Sequence, residues 1–300
     1  MKKKTYLIAL MAMALTLGSC SDNENGIGGE TSKYITVSTS IGNMTRVATD
    51  ANGGQTFEEG DEISVYAWTG DATIAPDASE RVVNNAINKL TNGSWVSTPQ
   101  MLWKNNRDKH YFIGVYPTAA ISDLTAGEYT FDVNKQTESD LLVAVNPDGL
   151  SYSADAQQTV PLTFTHVMAK LAVKLTYKNQ WGGIPTVEKV VVGNAAKEAT
   201  INYLTKVVTP STTAKEDFSL PEITENTKYV SVIIPQEDVK QLTIVIGGKN
   251  FVYDNGTPFK LESGKITTVN LEVGRDEIKL GDVKITDWED GSTFSGEALN

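Results

Sequence analysis

The sequence predicts an all-β fold: two β-sandwich domains behind a lipoprotein signal peptide. Three observations carry this. Short segments rich in Val, Ile, Thr and aromatic residues alternate apolar with polar positions. Turn formers such as Asn92-Gly93, Gly182-Gly183, Pro235, Gly247-Gly248 and Asn255-Gly256 punctuate them. After the first twenty residues no stretch carries the period of a long amphipathic helix, and many short strands with regular turns make sandwiches or barrels.

The start of the chain has its own logic. Lys2, Lys3 and Lys4 precede an apolar run from Tyr6 to Leu17, and Leu17-Gly18-Ser19-Cys20 closes it. A basic start, a short apolar core and small residues before a cleavage point make a secretory signal, residues 1–19, and a Cys immediately after makes it the lipoprotein type. The run is shorter than the roughly 20 residues of a permanent transmembrane helix. An ordinary cleaved signal with an incidental Cys20 is the competing reading. Cys20 is the only cysteine and stands where diacylglycerol and a further acyl chain (palmitate) would attach, so it is read as the lipidation site and membrane anchor. No intramolecular disulfide is possible, so the core must hold the fold.

Residues 1–19 hold three lysines and no acid, and their removal takes the formal charge from -11 to -14. Such a balance argues against nucleic acid or anionic lipid as a partner. Residues 20–32 are polar, acidic and glycine-rich and read as a flexible tether. The acids behind Cys20 also resemble the signal that sends lipoproteins of certain Gram-negative anaerobes to the outer face of the outer membrane, and read equally as a linker that happens to be acidic. The rest divides into an N-terminal domain, 33–158, and a C-terminal domain, 159–300, each large enough for a core.

In chain order, the alternation of Ile35, Val37 and Ile41 marks a first strand over 34–41. Arg46 follows, between that strand and a glycine-containing loop, 48–55. Glu58-Glu59-Gly60-Asp61 is read as a solvated turn rather than a metal site, since no spaced ligand set accompanies it. Glu62–Trp68 is a strand. Residues 79–90 fit a helical face or a hairpin on Asn92-Gly93, and the hairpin is preferred. Strands follow over 109–116 and 128–133. Asp140–Ala144, apolar on both sides, reads as a central strand that Asn146-Pro147-Asp148-Gly149 breaks. In 162–177 the apolar positions are even through Met168 and odd from Leu171. Such a change of face needs a bulge or turn near His166–Ala169; His166 there could serve as a ligand or a base, and the preferred reading is a structural histidine bonding the backbone groups set free. Further strands are expected over 187–192, 199–204, 229–234, 242–246, 251–253, 268–273 and 283–288.

Catalytic patterns are missing. Two histidines, His110 and His166, and one cysteine accompany no metalloprotease, nucleophile-elbow or phosphate-loop spacing, and Asp287-Trp288-Glu289-Asp290-Gly291 does not match a calcium loop. A glycosidase could place two carboxylates anywhere among 37 acids. The expectation is a non-enzyme with no catalytic residue, cofactor or metal. A surface glycan-binding lipoprotein of a polysaccharide-uptake system is the alternative, with Trp95, Trp103 and Trp181 as sugar platforms; packing of those rings in hairpins or core is the competing role.

Several segments together resemble the fimbrillin-like family, lipoprotein-derived subunits of type V pili. They are the lipobox, Thr45-Arg46, Phe57–Tyr66, Tyr111–Pro117, Ser139–Ala144, Phe164–Leu171 and Ile285–Trp288. The resemblance implies two transthyretin-like sandwiches and a structural, accessory or adhesive pilus subunit, lipid-anchored and surface-exposed at the outer membrane before joining the fimbrium. It implies other pilus subunits as partners, with host or bacterial surface ligands for an adhesin. It also implies cleavage by an Arg-specific protease after the first strand, here between Arg46 and Val47, releasing 20–46. The vacated groove would accept a neighbour's C-terminal segment, which here lies within 276–300. The polar, glycine-containing stretch 287–300 departs from a strong donor and points to a terminal or accessory subunit. Arg46 reads equally as a solubilising surface residue.

Overall fold

The computed structural model describes residues 33–42, 57–153, 158–254 and 256–288. Cys20, Arg46, Val47 and the end of the expected donor segment lie outside them. The fold is all-β. Its strands are β1 (Thr36–Ile41), β2 (Glu62–Thr69), β3 (Val83–Thr91), β4 (Ser94–Thr98), β5 (His110–Tyr116), β6 (Gly127–Thr130), β7 (Leu142–Leu150) and β8 (Thr159–His166). There follow β9 (Ala169–Tyr177), β10 (Val187–Ala196), β11 (Glu198–Asn202), β12 (Val207–Pro210), β13 (Lys215–Ser219) and β14 (Glu222–Thr224). The last are β15 (Lys228–Ile233), β16 (Gln241–Ile246), β17 (Lys249–Asp254), β18 (Lys265–Val273) and β19 (Ile278–Asp287). One 3₁₀ turn, Asn179–Trp181, is the only helical piece among the described residues.

Four sheets form. The first has the order β1-β8-β7-β5-β2-β3-β4. It curls until its edges meet: Ile35 N–H donates to the Met101 carbonyl, Trp103 N–H to that of Lys33, and Tyr34 pairs with Leu102. Inside the curl Ile35, Val37, Ile63, Val65, Phe112, Leu142, Leu162 and Phe164 form one core. The alternate residues of the middle strands, Tyr66, Trp68, Ile113, Val115 and Val143, face out into a second core shared with the C-terminal half. That explains why β2 and the start of β7 are apolar on both faces. Gly114 makes room for the Phe164 ring inside the curl, since a Cβ there would lie 2.6 Å from it.

The C-terminal half packs the sheet β13-β10-β16-β17 against β14-β15-β9-β18-β19 around that second core. A three-stranded sheet, β12-β11-β6, stitches the halves together, with β6 of the first half paired to β11 of the second.

Three expectations change. The 162–177 stretch is two strands in two sheets, so the change of face at 166–169 is the crossover itself, Val167-Met168. For the same reason the strand from residue 159, expected to open the second domain, belongs to the first sheet. Lastly, Asn146–Gly149 does not end β7: His110 pairs with Leu150 and Phe112 with Asn146, the extra residues bulging out with Gly149 at φ 64° and its N–H on the Asn146 side-chain carbonyl. The Asn92-Gly93 hairpin forms as expected, both residues at positive φ.

Candidate functional site

The first strand is an edge strand with an unusual amount to hide. β1 runs parallel to β8, pairing Thr36 with Thr159 through Ile41 with Phe164. Val37 of β1 and Ile35 just before it face inward, 6% and 2% exposed. On the outward side Thr36 Oγ1 lies 3.2 Å from Thr159 Oγ1, and Ser40 Oγ 3.2 Å from Thr163 Oγ1. The Trp95 indole N–H donates to Thr39 Oγ1 at 3.0 Å. β1 therefore lies in a slot: β8 walls one side, β4 and the 101–103 segment the other, and apolar pockets line the floor.

Beyond the end of β1 the slot opens into a cleft of about 500 Å³ between the halves. Ile41, Phe57, Leu142, Ile223, Val230 and Val232 supply apolar walls, with Glu58, Asp61, Tyr116, Gln136, Asp140 and Lys170 among the polar residues. Phe57 meets Trp95, Tyr116 and Phe164 edge-on at 5.1–5.3 Å between ring centres. Burial, aided by the Asp61 carboxylate, holds the Tyr116 phenol above its usual pKa.

The other terminal strand differs. β19 pairs only with β18 among the described strands, and most of its side chains face solvent. Val283 and Ile285 lie opposite Val269 and Thr267, 37% and 41% exposed. Trp288, just after β19, is buried: it stacks on His166 at 4.0 Å and 7°, and Lys170 Nζ sits 4.0 Å from its ring centre. His166 Nδ1 is 2.8 Å from Asp140 Oδ1, so this histidine ties β8 to the segment leading into β7 and to the end of β19. The expectation that it would serve the backbone of a bulge missed the carboxylate 26 residues upstream and the stacked indole.

The remaining candidates take structural places. The Asp61 carboxylate accepts from Glu58 N–H while Asp61 N–H donates to the Glu58 carbonyl across the turn, and the Glu59 carboxylate accepts from Asn92 and Gly93 N–H, capping the neighbouring hairpin. Trp95 packs on Phe57, Trp103 on His110 and Phe112, and Trp181 on Phe251 with its N–H on the Val273 carbonyl, so these rings are half-buried supports at separate places. His110 is fully buried: Nδ1 donates to the Asp108 carbonyl, Nε2 accepts from Lys104 N–H, and burial lowers its pKa. No group of three or more His, Cys, Asp or Glu suited to a metal ion occurs among the described residues. Of the arginines, Arg81 is buried, its guanidinium donating to the carbonyls of Pro76, Ile121 and Ser122 and to Asn84 Oδ1.

The model of the fimbrillin-like family matches residues 45–288. The chain belongs to the fimbrillin-like family. A relative named as a candidate fimbrium subunit, Fim1C of Bacteroides uniformis, is 24% identical, with 97% of each chain covered. Among solved structures, a candidate cell adhesion protein of Bacteroides uniformis shares the fold at a TM-score of 0.64 and 20% identity, covering 86% of this chain and all of that one. One from Bacteroides ovatus does so at 0.61 and 19%, covering 85% and 98%.

Proposed function

We propose that this fimbrillin-like chain is a surface pilus subunit, made as a lipoprotein anchored through Cys20 and assembled by strand exchange after cleavage between Arg46 and Val47. The observation that carries the mechanism is β1 itself: an edge strand with buried side chains that ends five residues before Arg46 in the sequence. Its removal would uncover unpaired N–H and C=O groups on β8 and the pockets of Ile35 and Val37, which is a template for an incoming strand. Val283 and Ile285 on β19 have the spacing of Ile35 and Val37 and are already partly exposed, so this pair is the part of 276–300 best suited to enter a neighbour's slot. The slot floor would then read alternate side chains while the ladder supplies main-chain affinity.

The test is digestion of the folded chain with an Arg-specific protease, followed by N-terminal sequencing and size analysis. The expected product starts at Val47 and forms long oligomers only if 276–300 is present. Assembly of Arg46→Ala like the unmodified chain would overturn the mechanism. The anchor is checked separately: Cys20→Ala should abolish labelling by a fatty-acid analogue in cells.

A further inference from the structure

We propose that the cleft at the end of β1 is a selectivity pocket for an aromatic side chain on a strand from a different subunit, at the register of Ile41. This rests on the strand-exchange reading and goes beyond it by naming what the slot prefers. Along β1 the fit is uneven. Ile35 and Val37 are sealed, whereas Ile41 is only half-buried and borders the cleft of about 500 Å³. That volume is in the range of pockets that bury whole small ligands.

The walls specify the occupant. Phe57, with its edge-on contacts to Trp95, Tyr116 and Phe164, offers an aromatic nest, and Leu142 and Val230 complete an apolar floor. A ring placed there would gain offset or edge-to-face contacts as well as burial. The resident isoleucine has no ring to offer. A strand with apolar residues at the Ile35 and Val37 positions, a hydroxyl at Thr39 for the Trp95 N–H, and an aromatic at Ile41 would therefore outcompete β1 for its own slot.

This chain's own tail is a poorer fit. Laid in the direction of β1 with Val283 and Ile285 in the first two pockets, it brings Glu289 to the Ile41 register. A carboxylate among the cleft's Glu58, Asp61 and Asp140, with Lys170 the cation on the lining, gains none of the ring contacts. Donors from another subunit are thereby favoured over self-association.

Two measurements test this. In the intact chain, Ile41→Trp and Ile41→Phe should raise Tm by about 2–4 °C by filling the cleft; a lowered Tm for both would show that the cleft does not accept a ring and overturn the proposal. Then the chain is cut within 43–56 at an inserted specific protease site. Fluorescent peptides of sequence 33–42 with Ile, Trp or Ala at position 41, and of 281–290, are followed for displacement of β1. The Trp peptide should be held about tenfold more tightly than the Ile peptide and the tail peptide. Equal retention of the Trp peptide and either of these would overturn the selectivity while leaving strand exchange intact. Failure of every peptide to bind, with the thermal gain present, would instead overturn strand exchange.

Discussion

β1 and β19 are both edge strands, each paired to a single described strand, yet they are built oppositely. β1 buries Ile35 and Val37 inside a curled sheet and is flanked on both sides; β19 contributes a ladder but leaves Val283 and Ile285 at the surface. What holds an edge strand can therefore be mainly apolar pockets or mainly backbone bonds, and the two leave different things behind. Loss of β1 opens a lined groove. Loss of β19 would leave mainly unpaired backbone, apart from the socket of Trp288 and the packing of Ile278 and Leu280 on the core.

Substitutions can break or sharpen that contrast. The largest effect is expected for Ile35→Ala, about 3 kcal/mol of lost stability from a buried cavity, against about 0.5 kcal/mol or less for Val283→Ala; urea unfolding of both decides, and equal losses would end the comparison. Trp288→Ala should cost about 2 to 3 kcal/mol, since it removes a buried indole and its stack on His166. In hydrogen exchange, the amides of β19 should open sooner in that variant while those of β1 stay protected. His166→Ala should cost about 1 to 3 kcal/mol through the lost bond to Asp140 and the lost stacking, read as a lower midpoint in the same urea titration.

The smallest effect concerns pH. Burial holds the His110 pKa below its unfolded value near 6.5, so the unfolded chain binds the extra proton first. Its contribution is complete above about pH 6.5 and declines as pH falls from there toward the lower folded pKa. Comparing Tm at pH 7.5 and 5.0, the acid loss should be smaller in His110→Gln than in the unmodified chain.

Much of this was legible in the residues. The all-β class, the first strand, the Asn92-Gly93 hairpin and the central placing of Leu142–Ala144 follow from alternation and turn chemistry. The crossover was visible too, as a change of apolar parity between Met168 and Leu171, but parity alone does not say whether a strand bends or changes sheets. Strands β12 to β14 escaped notice because they are short and bury little: Val207–Pro210 has no buried residue and Lys215–Ser219 buries only Phe218. The Asp140–His166–Trp288 contacts join residues 26 and 122 positions apart, and no local pattern announces such a meeting. The cleft is equally silent in sequence, being an absence of side chain where two halves meet.

The parallel pairing of β1 with β8 also has a mechanical meaning. Hydrogen bonds of a parallel pair run across the strands, and here they extend from Thr36 to Ile41 with the Trp95 bond and the Met101 and Lys33 bonds on the opposite flank. A pull along the strand axis loads these bonds together, in shear, and must drag Ile35 and Val37 out of their pockets at the same moment. A pull across the axis peels them one after another. Whatever strand lies in this slot is thus gripped most firmly when tension runs lengthwise, the direction in which a fibre is stretched.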